Sequence, residues 1–151
     1  MPPASKQSTI DGDAPTYRLE HQIGHLLRRS HQRASAIFMA RFAVHGLTPT
    51  QFAALAKISD ENEVSQNQLG RLTAMDPATM KGVIDRLRGR SLIVSKPDLT
   101  DRRRTLWRLT DSGKQTLTQA LPAGLETTEA TLAPLDAKER RVFLELLSRL
   151  I

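Results

Sequence analysis

The 151-residue chain contains no cysteine, and it has no apolar run long enough to cross a membrane. The missing cysteines exclude disulfide bonds, thiolate metal sites and thiol redox switches. Residues 1–15 lack the apolar segment of a secretory signal peptide; they are polar and contain three prolines. This composition predicts a disordered tail at residues 1–15. We therefore expect a soluble cytoplasmic protein without a membrane partner.

The usual sequence marks of catalysis are also missing. The chain has no GxGxxG motif, no phosphate-binding P-loop and no H-E-x-x-H metal motif. Its four histidines cluster in one predicted helix and at the end of that helix, without a nucleophile beside them. We expect neither an enzyme nor a protein with a resident metal or cofactor.

Positive charge is concentrated in one third of the chain. The formal net charge is +6 at neutral pH. Residues 65–114 contain 11 Lys and Arg against 5 Asp and Glu, whereas the remaining residues contain 11 of each. The whole excess therefore lies in this segment, which favours a polyanionic partner. A solvated basic surface is the alternative that charge alone leaves open.

Helical periodicity dominates both ends of the chain. Apolar residues spaced by three and four predict one helix over residues 17–44, ending at Gly46. Near the other end, Asp136 and Glu139 form a capping box that begins a last helix. The helix before it begins near Thr110 and is predicted to be interrupted or kinked by Pro122.

Between these ends, the pattern predicts three short helices and a hairpin. The helices begin at Thr48, at Ser65, with Leu72 facing inward, and at Asp76, each after a capping residue. Two short strands then flank an arginine-rich turn, the second over residues 105–109. The predicted fold is mainly α with a small β-hairpin wing, that is, a winged helix-turn-helix between N- and C-terminal helices.

Several segments make this outline specific. The stretches LTPTQFAAL, SQNQLGRLT, DPATMKGVIDRL and DLTDRRRTLWRLTDSG resemble the MarR family of bacterial transcriptional regulators. The resemblance covers roughly residues 17–150, with Leu99 standing where the family often has proline. It implies a homodimeric repressor, nucleoid-associated when bound to DNA, which often releases DNA on binding a small aromatic acid. Residues 47–110 would be the winged helix-turn-helix module, and residues 16–46 and 111–151 the dimerisation helices.

The third short helix is predicted to read DNA bases. Met80, Val83, Ile84 and Leu87 occupy one face, which leaves small residues such as Gly82 on the opposite face. Small residues let a helix approach base edges closely, although an exposed glycine that is merely tolerated is an alternative. Thr79 and Lys81 could contact bases and Arg86 and Arg88 phosphates, while Asp85 would pair with Lys81.

Arginines of the wing are predicted to enter a minor groove, where the negative potential is enhanced. The family resemblance implies that Asp101 braces Arg103, and a solvated charged turn is the alternative. The predicted DNA-contacting residues are Ser65, Gln66, Pro77, Ala78, Thr79, Lys81, Gly82, Arg86, Arg88, Asp101, Arg102, Arg103 and Arg104.

The two ends contain more apolar surface than the small module can cover. Leu19, Ile23 and Leu26, together with Leu146 and Leu150, predict pairing across a two-fold axis, with packing inside one chain as the alternative. Such a dimer would present two reading helices about one DNA turn apart and bind a palindromic duplex operator. A non-specific architectural DNA binder is a less favoured reading.

Effector residues are the least determined part of the sequence. His21 and His25 are four residues apart on one face of the predicted helix, with Arg28 beside them, and could bind an aromatic carboxylate. A zinc site, and so a metal-responsive regulator, or a structural role are the alternatives. The family resemblance implies a ligand between the dimerisation helices and the winged module. It adds His45, Phe52 and Met75 as candidates.

Overall fold

A computed structural model describes residues 16–151, and the predicted tail at residues 1–15 lies outside this range. The described residues form six α-helices and a small antiparallel sheet, which is the mainly α fold with a β wing that the sequence predicted. Within the described range, no helix is long and apolar enough to cross a membrane. The elements in chain order are α1 (Ile23–Phe42), α2 (Pro49–Glu61), β1 (Val64–Ser65), α3 (Gln66–Leu72), α4 (Pro77–Gly89), β2 (Ile93–Pro97), β3 (Thr105–Leu109), α5 (Asp111–Thr131) and α6 (Ala137–Ser148).

The sheet has three strands rather than the two of the predicted hairpin. Its order is β1-β3-β2, and both pairings are antiparallel. The additional strand pairs Val64 with Trp107 and Ser65 with Leu106. Two residues are too few to create an alternating pattern, so β1 exists only because β3 offers a free edge beside α2.

Capping explains where the helices begin. Thr48 and Gln51 form the predicted reciprocal capping box at α2, and Asp136 and Glu139 form the one at α6. Thr110 likewise accepts a hydrogen bond from the Gly113 N–H at the start of α5. These caps satisfy N–H groups that lack partners inside the helix, and they place each start where the sequence predicted it.

The N-terminal helix is shorter than predicted. A 3-10 turn over Leu19–His21 is followed by Gln22 in an extended conformation (φ −84°, ψ 133°), and α1 begins only at Ile23. A second 3-10 turn, Ala43–His45, ends at Gly46 in the left-handed region, with φ 61°. The premise that His21 and His25 share one helix face is therefore wrong, because Gln22 interrupts the helix between them.

Pro122 does not break α5, which continues through it from Asp111 to Thr131. The helix packs along α1, and it buries Leu117, Ala120 and Ala123 in the core. Arginine side chains of α1 strengthen this contact: Arg41 pairs with Glu126 at 2.9 Å. This packing outweighs the hydrogen bond that proline cannot donate.

The core lies between α1, α2, α4, α5 and the sheet. The α4 stripe that the sequence predicted is fully buried, with Leu87 at 0% and Met80 at 1% exposure. The inward orientation predicted for Leu72 is wrong, because this residue is 42% exposed. It is the last residue of α3, and α3 buries Leu69 and Gly70 instead.

Candidate nucleic-acid interface

The α4 helix exposes the face that was predicted to read DNA. Asp76 caps the helix and Pro77 is its first residue. Ala78, Thr79 and Lys81 are exposed and Gly82 is half-buried, whereas the apolar stripe on the other side packs into the core. The guanidinium of Arg86 lies beside Gly82, with Nη1 3.9 Å from the place a Gly82 Cβ would take. The exposed face is thus shallow at its centre and basic at its edge.

Thr79 is fixed by the residue that caps the helix. Asp76 accepts hydrogen bonds from the Thr79 N–H at 2.8 Å and from the Thr79 hydroxyl at 2.7 Å. The backbone bond is the main reason that the pKa of Asp76 lies below its usual value, and the hydroxyl bond adds to it. Because the hydroxyl proton is used in this way, the methyl group and the oxygen lone pairs of Thr79 remain for a base.

Asp85 pairs with Lys81, as expected, and also with Arg88. The Lys81 Nζ lies 2.8 Å from Oδ2, and the Arg88 Nη2 lies 3.4 Å from Oδ1. The hydrogen bond from Lys81 lowers the pKa of Asp85, and the positive charges of Lys81 and Arg88 lower it further. The carboxylate therefore stays charged at neutral pH and holds both cations on the exposed face.

In the wing, an aspartate does lie beside an arginine, but the pair is Asp98 with Arg104 and not the expected Asp101 with Arg103. Asp98 is 8% exposed and accepts bonds from the backbone N–H and the hydroxyl of Thr100 at 2.9 and 2.7 Å. Its other oxygen lies 3.7 Å from Arg104 Nε. Hydrogen bonds from Thr100 are the main reason that the pKa of Asp98 is lowered, with a smaller contribution from Arg104.

The expected brace between the Asp101 carboxylate and the Arg103 guanidinium is not what the wing contains. Asp101 accepts instead from the backbone N–H of Arg103, at 3.0 Å, and its carbonyl accepts from the Arg104 N–H at 2.9 Å. Asp101 therefore shapes the turn and leaves the side chains of Arg102 and Arg103 exposed. The sequence signal for Asp98 was D-L-T, because an aspartate two residues before threonine commonly forms such a turn.

A polar cleft joins these parts, and we call it the basic cleft. It lies between α3, the carboxyl end of α4 and the two wing strands, with a volume of about 590 Å³. The predicted residues Ser65, Gln66, Arg88, Arg103 and Arg104 all line it. Arg71 lines it too, although the sequence did not single it out, because only the fold turns that side of α3 toward the wing.

The candidate effector residues do not form one group. His45 and Phe52 both lie on the ring of Phe42, with centroid distances of 5.7 and 4.8 Å. Met75 lines a different cleft, between α3 and the start of α4. In the remaining trio, His21 belongs to the 3-10 turn before Gln22, whereas His25 and Arg28 belong to α1.

Comparison with known proteins identifies the family. The model of the MarR family matches residues 47–105. The transcriptional repressor NicR of Pseudomonas putida is 37% identical over 139 residues, which make up 92% of this chain and 88% of NicR.

Two solved structures have the same fold. One is a probable transcriptional regulator from Pseudomonas aeruginosa, with 46% identity and a TM-score of 0.85 over 89% of this chain and 100% of that one. The other is Bordetella bronchiseptica BpsR, whose DNA binding is regulated by 6-hydroxynicotinic acid; it has 36% identity and a TM-score of 0.85 over 89% of this chain and 96% of BpsR. Identity at this level along nearly all of both chains, on one fold, means that the chain belongs to the MarR family of transcriptional regulators.

Proposed function

We propose that this chain is a homodimeric repressor that binds a palindromic operator in double-stranded DNA and is released by a small aromatic acid. The observation that carries the proposal is the basic cleft together with the shallow face of α4. Arg88 of α4 and Arg103 of the arginine-rich turn line the same cleft, which suits a helix in the major groove and a turn in the minor groove. Arginines between them are suited to the phosphates that separate the two grooves.

The dimer is supported by apolar surface that one chain leaves uncovered. The described chain buries none of the residues of α6. Ile23 is 62% exposed, Leu146 51% and Leu150 66%, and all three line one groove between α1 and α6. Several large apolar side chains exposed side by side are typical of a protein interface. Pairing it across a two-fold axis would orient two α4 helices toward successive turns of DNA.

Sequence-specific binding is favoured over architectural binding because α4 offers more than charge. Ala78 and Gly82 place small residues on its exposed face. The Asp85 carboxylate holds the Lys81 Nζ at 2.8 Å. A protein that binds only the DNA backbone needs neither the small residues nor an acidic residue that repels phosphate. Lys81 is therefore proposed to contact a base, and Arg88 a phosphate.

For the effector, we propose a site beside His45 and Phe52. Their rings meet Phe42 where the end of α1 packs on α2, and Phe52 also lies against α5 at Gly124. An aromatic ring could stack there while the His45 imidazole, which is half-buried, donates to its carboxylate. The relatives support an N-heteroaromatic acid of the 6-hydroxynicotinic type. Arg28 and His25 on α1 are the alternative carboxylate site.

The metal-responsive alternative has less support. Within residues 16–151, no group of three or more His, Asp or Glu side chains is arranged to hold a metal ion. The separation of His21 from His25 by the extended Gln22 also removes the helical spacing that suggested zinc.

One titration tests these proposals together. The protein is bound to a fluorescent palindromic operator, with a scrambled duplex as the control, and 6-hydroxynicotinic acid or Zn²⁺ is added. We expect tight binding to the palindrome alone and release by the acid. Equal affinity for both duplexes would refute sequence-specific binding, and release by Zn²⁺ alone would refute the acid effector.

Variants locate the effector site. His45→Gln should lower the affinity for the acid about tenfold, the loss expected for one hydrogen bond to a charged group. It should leave the affinity for the operator in the absence of acid unchanged. If Arg28→Gln has that effect and His45→Gln does not, the site lies on α1 instead.

A further inference from the structure

Arg90 follows the last residue of α4, and its side chain reaches the segment that ends α1. Its Nη1 donates a hydrogen bond to the carbonyl oxygen of Gly46 at 2.6 Å, across 44 positions of sequence. In the part of the chain that the structure describes, no other hydrogen bond or ion pair joins residues 77–91 to residues 16–46. We call this contact the Arg90 clasp.

The Arg90 clasp joins two residues that each follow the end of a helix. The Gly46 N–H bonds to the Phe42 carbonyl at 3.1 Å as the α1 segment terminates, and the Arg90 N–H bonds to the Arg86 carbonyl at 3.1 Å as α4 terminates. The carboxyl end of a helix carries partial negative charge. The guanidinium on the Gly46 carbonyl therefore stabilises the end of the α1 segment, and it ties the residue that follows α4 to that end.

Gly46 accepts this hydrogen bond from a backbone conformation that favours glycine. Its φ of 61° is a left-handed conformation that glycine adopts without strain. A Cβ at Gly46 would lie 3.6 Å from Arg90 Nη2, in contact with the guanidinium. The sequence had marked Gly46 as the stop of a helix, and the structure gives it a second use as the acceptor of the Arg90 clasp.

We propose that Arg90 is a positioning residue for DNA binding, which fixes the angle between the reading helix α4 and the dimerisation helix α1. The inference rests on the proposed function, because only a dimer on two half-sites converts that angle into a preferred spacing. Two α4 helices held rigidly about 34–36 Å apart fit one half-site separation best. A looser angle lets the dimer accept neighbouring separations and weakens binding to the best one.

Operators of varied spacing test this role. One or two base pairs are inserted or removed between the half-sites, and affinities are measured by fluorescence anisotropy. The unaltered protein should prefer one spacing sharply. Arg90→Gln should lose about tenfold at that spacing, as expected for one charge-assisted hydrogen bond, and less at the neighbouring spacings. Arg90→Lys, which keeps the charge but not the planar fork, should fall between the two.

Arg108→Gln is the matched control, because it removes the same charge from the other side of the wing. Trp107 lines the basic cleft, and adjacent residues of a strand point to opposite faces, so Arg108 points away from the cleft. This variant should keep the sharp spacing preference. If Arg90→Gln weakens every spacing equally and shallows the salt dependence by about one phosphate unit, Arg90 contacts DNA and the proposal is wrong.

Hydrogen exchange without DNA separates this inference from the proposed function. Arg90→Gln should speed exchange of the amides at the end of α1, including Gly46, and leave those of the α6 capping box unchanged. Unchanged exchange at Gly46 would overturn the Arg90 clasp. Faster exchange in a protein that binds no operator would instead mean that the clasp exists and that the proposed function is wrong.

Discussion

Apolar side chains are buried to different extents in residues 47–110, which run from α2 to β3 and which we call the winged module, and in the terminal helix α6. In α4 the four apolar residues of the inner face are at most 2% exposed. In α6 none is buried: Leu144 is 47% and Leu146 51% exposed, and Leu150, just after the end of the helix, is 66% exposed. The module is thus complete within one chain, whereas α6 leaves a surface that a second chain could cover.

The winged module and the terminal helices also differ in what their polar side chains contact. In the module, the carboxylates of Asp76, Asp85 and Asp98 each hold a hydroxyl or a cation in place. In the terminal helices, long-range contacts such as Arg41 with Glu126 join α1 to α5. These polar contacts in the module therefore fix individual side chains, while the contact between Arg41 and Glu126 joins helix to helix.

The largest effect is expected at the joint between the two regions. A Cβ on Gly113, at the start of α5, would lie 2.0 Å from the carbonyl oxygen of Leu92, just before β2. Gly113→Ala should lower the free energy of unfolding by about 3 kcal/mol, because backbone must move to relieve the overlap. Urea denaturation measures the change.

Gly89→Ala is the control for that experiment, since a Cβ there meets nothing within 4 Å. It should be neutral or stabilise the protein by about 0.5–1 kcal/mol, because glycine loses more freedom on folding. Equal destabilisation by both substitutions would mean that the close approach of α5 to the sheet is not what requires Gly113.

A charge on the uncovered apolar face of α6 should prevent dimerisation and leave the winged module folded. Leu146→Glu should give a monomer by light scattering and reduce operator affinity about a hundredfold, because two linked modules bind far more tightly than one. Ala137→Glu adds the same charge at the exposed start of the same helix, where a carboxylate is favourable. It should stay dimeric, and a dimeric Leu146→Glu protein would place the interface elsewhere.

The smallest effect is expected in the wing. Arg103→Ala should weaken operator binding about tenfold and shallow its salt dependence by about one unit, since one contact to the DNA is lost. Arg108 lies on the face of β3 that points away from the basic cleft, so Arg108→Ala should change neither the affinity nor its salt dependence appreciably. Unchanged affinity in Arg103→Ala would mean that Arg102 or Arg104 makes the minor-groove contact. The unfolding free energy of both variants should match that of the unaltered protein.

Local patterns were enough to predict the helices of the module and the buried stripe of α4. Caps such as Thr48 with Gln51 act within three residues, so the sequence contains the whole interaction. Asp98 with Arg104 is different, because the wing must first fold before the carboxylate is buried beside the arginine. The family pattern pointed to Asp101 instead, but the Asp101 carboxylate accepts a hydrogen bond from the backbone N–H of Arg103.

By itself, the sequence determined the capped starts of α2 to α6, the periodicity of the core and the location of the positive charge, because each depends on residues within a few positions of one another. Only the tertiary structure decided that Arg71 lines the basic cleft, that β1 adds a strand and that Arg90 reaches Gly46. Such contacts join residues tens of positions apart. Their formation depends on how whole helices pack, and no local spacing in the chain encodes that packing.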